Sequence, residues 1–183
     1  MEAEDIERYL AELGTELEKR GLKQPVRILL VGGAYMLLVA NAPRSTKDID
    51  IFWLDEDGLQ RAYAPLRESV QVIKQKHDLD ADWLNYVTQM LMYDEVIVPD
   101  AKLWKQFGPL HVYSPPTEYI LALKIIAGRE KDIDDCAILL PKTNIRTREQ
   151  VQRLLDRYIL PNGQQKNAES IENALNTLFR KDA

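Results

Sequence analysis

The chain has 183 residues, with 24 basic and 29 acidic side chains and a formal net charge of −5 at pH 7. This length supports one sizeable hydrophobic core, and the acidic balance argues against a broad basic footprint for duplex DNA. The single cysteine excludes an intramolecular disulfide, and no apolar run reaches the roughly 20 residues that span a bilayer. We therefore expect a cytoplasmic protein that does not insert into membranes.

The first half of the chain alternates between helical and strand patterns. Apolar residues at helical spacing predict an amphipathic helix at the N-terminus, and β-rich apolar runs predict short strands. A Gly-Gly pair turns the chain from the first strand into a short helix. In chain order, the predicted elements are a helix at 4–20, the strand VRILLV at 26–31, a helix at about 34–41, the strand DIDIFWL at 48–54, a helix beginning at GLQRAY, a helix from Asp82 to about Met92, and the strands EVIVP and PLHVYS.

From Ser114 onward the pattern is entirely helical. Ser114 is a suitable N-cap, and the prolines after it fit a first helical turn, where no backbone donor is needed. Thr147 and Gln150 have the spacing of a capping box. The predicted helices are one after Ser114 that breaks at Gly128, one from about Lys131, one over QVQRLLDRYI that Pro161 ends, and one at about 168–179.

These patterns predict an α+β protein with two parts. Residues 1–113 would form a small mixed β-sheet core flanked by helices, which include the N-terminal helix. Residues 114–183 would form a helical bundle that completes a cleft, so that both parts make one compact unit.

Two carboxylates are the main chemical feature of the first part. Asp48 and Asp50 are two positions apart in a predicted strand, so they face the same side while Ile49 and Ile51 face the core. Neighbouring carboxylates repel each other unless a cation lies between them. Mg²⁺ commonly uses one or two carboxylates together with substrate phosphates. The pair therefore predicts a magnesium site, unless it is simply an exposed strand end.

The Gly-Gly turn and the Arg-x-Thr-x-Asp-x-Asp segment after it resemble the nucleotidyltransferase superfamily to which DNA polymerase beta belongs. The nearest branch looks like the AbiEii-type nucleotidyltransferases, many of which are toxins in toxin–antitoxin pairs. A second block, YILALKIIAGREKDIDD, resembles a later motif of the same family. The matching residues are Gly32, Gly33, Arg44, Thr46, Asp48 and Asp50 in the first block, and Lys124, Arg129, Asp132 and Asp135 in the second.

The resemblance implies transfer of a nucleoside monophosphate from a nucleoside triphosphate to an acceptor, with release of pyrophosphate. It implies that Asp48 and Asp50 bind Mg²⁺, and that Gly32 and Gly33 hold phosphate through backbone N–H groups. Arg44, Thr46 and Arg129 would bind the nucleotide. The implied acceptor is the 3′ end of a tRNA or a protein hydroxyl, and an antitoxin protein is an implied partner.

The second block predicts a cation that contacts the triphosphate. Lys124 lies on an otherwise apolar helix, from which its ammonium group can be presented at a cleft. Asp132 and Asp135 are three positions apart, so they share one helical face. They either orient Lys124 or Arg129, or activate the acceptor. Without the first block, an acidic first turn favoured by the helix dipole would be the better explanation of them.

Two departures from the superfamily pattern keep other interpretations open. Gly33 stands where many members have a serine, and PLHVYS holds no third carboxylate. Either Asp132 or Asp135 acts as the base, or transfer needs no strong base, or the chain is inactive and only binds a nucleotide or a partner. A sugar transferase that uses Asp-x-Asp for a nucleotide sugar is a further alternative, but it leaves the second block unexplained.

Overall fold

A computed structural model describes residues 1–54, 56–92 and 94–179. The chain divides into two compact units. Unit 1 comprises the described residues of Met1–Met90 and Ala101–Ser114, and unit 2 comprises those of Leu91–Asp100 and Pro115–Ala183. Among the described helices, none combines the length and the apolar character that crossing a membrane would require.

Unit 1 is built on a five-stranded mixed sheet with the strand order β3-β2-β1-β5-β4. Strand β1 pairs antiparallel with β2 and parallel with β5, β2 pairs parallel with β3, and β4 pairs antiparallel with β5. The elements are α1 (Ala3–Lys19), β1 (Val26–Leu30), α2 (Gly32–Leu38), β2 (Ile49–Trp53), α3 (Glu56–His77), β3 (Leu84–Asn85), α4 (Val87–Met92, whose last residues belong to unit 2), β4 (Lys102–Phe107) and β5 (Leu110–Ser114).

The core of unit 1 lies between this sheet and its helices. Strand β1 is central, and its Ile28, Leu29 and Leu30 are all fully buried. Helix α1 contributes an apolar stripe at helical spacing, which includes the fully buried Leu10 and Leu13. The sheet therefore holds the end of β1 and the start of β2 in a rigid frame.

Unit 2 is helical. Its elements are α5 (Thr117–Ala127), α6 (Glu130–Leu139), a 3-10 turn (Leu140–Lys142), α7 (Arg148–Tyr158), α8 (Pro161–Lys166) and α9 (Ala168–Leu178). Helix α5 is apolar on most of its surface and packs against α6, α7 and α9. Residues 94–98 also join this unit, because Val96 forms a bridge with Ile159 and the Ile97 N–H donates to the Tyr158 carbonyl over 2.8 Å.

The predicted α+β class is confirmed, as are the mixed sheet and the helical C-terminal half. Several boundaries were wrong. The helix predicted from Asp82 begins only at Val87, because Leu84 and Asn85 pair with β2 as strand β3. The segment EVIVP makes only an isolated bridge. The segment KLWKQF, for which no element was predicted, forms β4, an exposed edge strand without alternating burial.

One predicted helix cap also differs, and one helix was not predicted. Ser114 does not cap α5, because its backbone belongs to β5, where it pairs with Lys102. The N-cap is Pro116. Helix α7 ends before Pro161, as predicted, but Pro161 then starts α8, which the sequence did not predict. Pro161 takes the first helical position, where the missing N–H costs nothing.

Candidate functional site

The two carboxylates of the Asp-x-Asp segment lie at the start of β2. Asp50 is the second residue of the strand, and Asp48 immediately precedes it. Ile49 and Ile51 are fully buried, whereas both aspartates are half-buried. Because side chains alternate along an extended chain, the two carboxylates share the side that faces away from the isoleucines. The alternating burial of residues 48–51 agrees with the strand pattern that the sequence predicted.

Gly32 brings the beginning of α2 against Asp50. Its φ angle of +61° lies in the left-handed region, which favours glycine. A Cβ at this position would lie 2.3 Å from Asp50 Oδ2 and 3.0 Å from Asp50 Cβ. The adjacent Val31 N–H donates to the Asp50 carbonyl over 3.0 Å. Residue 32 therefore has to be glycine, and the Asp50 carboxylate lies directly on the backbone where α2 begins.

Gly33 makes a similar approach to Thr46. A Cβ at position 33 would lie 2.4 Å from Thr46 Oγ1. The Thr46 hydroxyl donates to the Asp48 carbonyl over 3.1 Å and lies 3.3 Å from Asp48 Oδ1. Gly33 therefore packs against the loop that carries Asp48, while Gly32 packs against Asp50 itself. Both glycines have a packing role that is independent of any bound phosphate.

Asn85 is a site residue that the sequence did not reveal. Its Nδ2 donates to Asp50 Oδ1 over 2.8 Å. The contact exists because β3 pairs parallel with β2 and places Asn85 opposite Asp50. Strand β3 has only two residues, so no local pattern separates it from the helix that follows. Recognising strand pairing at this point would have been the only route to the residue.

Arg44 lies in the loop before β2 and is half-exposed. Its backbone N–H donates to the Ala42 carbonyl over 2.9 Å. The structure therefore places the whole first block in unit 1. Gly32 lies against the Asp50 side chain, and Gly33 lies against Thr46. Thr46 in turn forms a hydrogen bond with Asp48.

The donor set of this region fits a cation that arrives with its substrate. Over the described ranges, no three Asp, Glu, His or Cys side chains form a group that could hold a metal ion. Asp48 and Asp50 offer carboxylate oxygens only, which is the chemistry that Mg²⁺ prefers, and Mg²⁺ takes its remaining ligands from phosphates and water. These residues therefore fit Mg²⁺ bound to a triphosphate better than a metal held entirely by protein.

The second block forms a charge cluster inside unit 2. The Lys124 ammonium lies 2.7 Å from Asp132 Oδ1 and 2.9 Å from Asp135 Oδ2, and Arg129 Nε lies 2.5 Å from Asp132 Oδ2. Both aspartate side chains are fully buried, and that of Lys124 is 8% exposed, whereas that of Arg129 is 62% exposed. Two positive charges thus balance two buried negative charges.

The electrostatics of this cluster favour fixed charges. Burial acts to raise the pKa of the Asp132 carboxyl, but hydrogen bonds from Arg129 and Lys124 outweigh burial and hold that pKa below its ordinary value. Next to it, burial raises the pKa of the Cys136 thiol to about 12, and the two carboxylates act in the same direction. The thiol is therefore no nucleophile at neutral pH. Asp132 therefore pairs with both cations as a carboxylate, and Asp135 pairs with Lys124.

A protein-family model described as "Nucleotidyltransferase of unknown function (DUF6036)" matches residues 8–140. This span contains the Gly-Gly turn, the Asp-x-Asp strand and the Lys124 cluster. The match supports the resemblance at the level of the nucleotidyltransferase superfamily. Comparisons with curated proteins and with solved structures gave no match.

Proposed function

Because this chain belongs to the nucleotidyltransferase family whose model covers residues 8–140, we propose that it moves a nucleoside monophosphate from a nucleoside triphosphate to a hydroxyl acceptor. The acceptor hydroxyl gives its proton to water as its oxygen forms a bond to the α-phosphorus, the bond from the α-phosphorus to the oxygen of the β-phosphate breaks, and pyrophosphate leaves. The observation that carries the proposal is the close approach of the Asp50 carboxylate to Gly32, with the half-buried Asp48 two residues before it.

We assign the divalent cation to Asp48 and Asp50. When bound, Mg²⁺ would neutralise triphosphate charge and polarise the α-phosphate. The first N–H groups of a helix have no partner within the helix, so the backbone at Gly32 and Gly33 can donate to phosphate oxygens. The hydrogen bond from the Thr46 hydroxyl to the Asp48 carbonyl fixes the loop that carries Asp48. We propose that Arg44 binds the nucleotide, a role that rests on the motif alone.

The roles that the resemblance gives to the second block remain proposals. Lys124 is enclosed and lies within 3 Å of two carboxylates, so at most one of its three ammonium N–H groups remains for a phosphate. We therefore propose that Asp132, Asp135 and Lys124 form the buried, structurally fixed part of the cluster. For the largely exposed Arg129 we propose the role that the resemblance gives it, which is to bind the nucleotide.

The acceptor and the biological role follow from the resemblance. We propose the AbiEii-type branch, with a tRNA 3′ end or a protein hydroxyl as acceptor and an antitoxin as protein partner. This role predicts that induced expression of the wild-type chain arrests growth of a bacterial host, and that the Asp50→Asn variant does not. Equal growth of both strains would contradict the toxin role without affecting the transferase proposal.

One observation favours a second candidate function. In the described part of the chain, no third Asp, Glu, His or Cys joins Asp48 and Asp50 in a group that could hold a metal ion, so no further carboxylate is marked there as the acceptor of the hydroxyl proton. A catalytically inactive module of the same fold would bind a nucleotide or a partner through the same residues. It would bind triphosphate in the presence of Mg²⁺ but transfer nothing.

The experiment that separates the two functions uses purified protein, Mg²⁺, total tRNA and each of the four α-labelled nucleoside triphosphates in turn. The Asp48→Asn/Asp50→Asn double variant removes both negative charges with little change in shape. Asp80→Asn, at an exposed position of unit 1, is the matched control.

We expect label to enter RNA or protein with the wild type and with Asp80→Asn, and not with the double variant. Metal-dependent binding without transfer would favour the inactive module. If the wild type neither transfers label nor binds any of the four triphosphates, both candidate functions are wrong.

A further inference from the structure

We propose that Asn85 is a positioning residue that fixes the Asp50 carboxylate for the divalent cation, an inference that rests on the proposed function. The Asn85 side chain donates from Nδ2 to Asp50 Oδ1 over 2.8 Å. Neither the Asp-x-Asp motif nor the family match assigns a role to this residue.

The two oxygens of Asp50 are located by two different elements. Oδ1 accepts the hydrogen bond from Asn85 on β3, and Oδ2 lies so close to Gly32 that a Cβ there would be 2.3 Å away. Rotation of the carboxylate about its last bond would break the first contact or press an oxygen onto the start of α2. The side chain is therefore held in one orientation before any ligand arrives.

Asn85 is itself placed by a well-anchored strand. The Ile49 N–H donates to the Trp83 carbonyl over 2.7 Å, and the Trp83 indole N–H donates to the Val70 carbonyl over 3.2 Å. Leu84 is buried beside Ile49, its partner in the register. Because neighbouring side chains alternate, Leu84 points to the core and Asn85 to the side that carries the aspartates.

The choice of an amide has a chemical consequence. Asn85 supplies a hydrogen-bond donor to Asp50 but adds no negative charge. Asp48 and Asp50 therefore bring two negative charges to the cation, and a carboxylate at position 85 would bring a third. We infer that the wild-type site binds its cation mainly together with triphosphate, whose phosphates supply the remaining negative charge.

Two substitutions test this role in opposite directions. Asn85→Ala removes the donor. We expect the affinity for Mg²⁺ with triphosphate to fall about 10- to 100-fold, which is the usual effect of removing a group that orients a metal ligand. Asn85→Asp replaces the donor by a carboxylate that repels Asp50. We expect this variant to unfold at a lower temperature without metal, and to gain more stability from Mn²⁺ alone than the wild type does.

Gln89→Ala is the matched control. The Gln89 side chain forms two hydrogen bonds with the backbone of Trp53, at the other end of β2. Its Oε1 accepts from the Trp53 N–H over 2.6 Å, and its Nε2 donates to the Trp53 carbonyl over 3.0 Å. Its loss removes hydrogen bonds from the same strand without touching Asp50. We expect lower stability and unchanged affinity for cation and triphosphate.

The measurements are isothermal titration with each of the four triphosphates in Mg²⁺, without acceptor, and thermal unfolding in the presence and absence of Mn²⁺. If Asn85→Ala binds triphosphate as tightly as Gln89→Ala does, and Asn85→Asp gains nothing from Mn²⁺, then Asn85 is only a structural residue and the proposal is wrong. If the wild type itself binds no triphosphate, the proposed function fails, and the role of Asn85 fails with it.

Discussion

Replacement of Lys124 by methionine should strongly destabilise the protein. Methionine keeps most of the side-chain length and loses the charge. Asp132 and Asp135 are both fully buried, and Lys124 contacts each of them within 3 Å. Without Lys124, the cluster of Asp132, Asp135 and Arg129 changes from neutral to a net charge of −1.

The expected magnitude follows from the burial of these groups. Removing one partner of a buried ion pair costs about 3–5 kcal/mol, because the remaining charge is left without compensation. In a chain of this length, each kcal/mol lowers the melting temperature by about 2–4 °C. We therefore expect Lys124→Met to unfold roughly 6–20 °C below the wild type.

The assay is urea unfolding followed by far-ultraviolet circular dichroism and, separately, by tryptophan fluorescence. Trp53, Trp83 and Trp104 all belong to unit 1, whereas circular dichroism also detects the helices of unit 2. Comparison of the two probes therefore shows whether the loss extends beyond the unit that contains the cluster. Adding Asp132→Asn and Asp135→Asn removes the uncompensated charges, so this triple variant should recover part of the lost stability.

Acid should diminish the difference between Lys124→Met and the wild type. The pKa of Asp132 is lowered in the folded protein, so its contribution to stability is present above its ordinary pKa and is lost as the pH falls through the lower folded value. The two proteins should thus converge below about pH 4. A loss of less than about 1 kcal/mol at neutral pH would refute the argument, because the charge balance of the cluster would then not stabilise the fold.

Three further predictions concern single positions. In urea unfolding, Gly32→Ala should lose more stability than the control Gly21→Ala. Both glycines have a positive φ, but a Cβ at position 32 would clash with Asp50, whereas a Cβ at position 21 has nothing within 4 Å. Equal losses would contradict the close approach of Gly32 to Asp50. Cys136 is fully buried and its thiol pKa is about 12, so iodoacetamide at pH 8 should alkylate it only as the protein unfolds, which mass spectrometry would detect. Thr147→Ala should cost about 1 kcal/mol in the same urea assay, because the Thr147 hydroxyl accepts from the Gln150 N–H at the start of α7; an unchanged midpoint would show that the cap does not stabilise the helix.

The features that the sequence predicted correctly are those whose signal is local. The apolar stripe of α1 and the run of buried residues in β1 are readable from composition and spacing alone. The alternation around Asp48 and Asp50 also needs no knowledge of distant residues, and the capping box at Thr147 was found in the same way.

The features that it missed depend on contacts between distant segments. Strand β3 exists because Leu84 and Asn85 pair with β2, and this pairing overrides the helical pattern around them. Strand β4 lies at a sheet edge and is mostly exposed, so no alternation of apolar residues marks it. The burial of Lys124 between two aspartates likewise depends on how α5 meets α6, which the spacing of charges alone does not determine.

The packing of α5 also bears on how this protein can be produced and dissected. The family match ends at residue 140, yet α5 lies inside it and packs against α7 and α9, which lie beyond it. A fragment that stops at 140 would lack α7 and α9 and would therefore uncover part of the surface of α5, a helix whose Ile120, Leu121 and Ile125 are all fully buried. Such a fragment should aggregate rather than fold. The segment matched by the family model, residues 8–140, is therefore shorter than the segment needed for folding, which also includes α7 and α9.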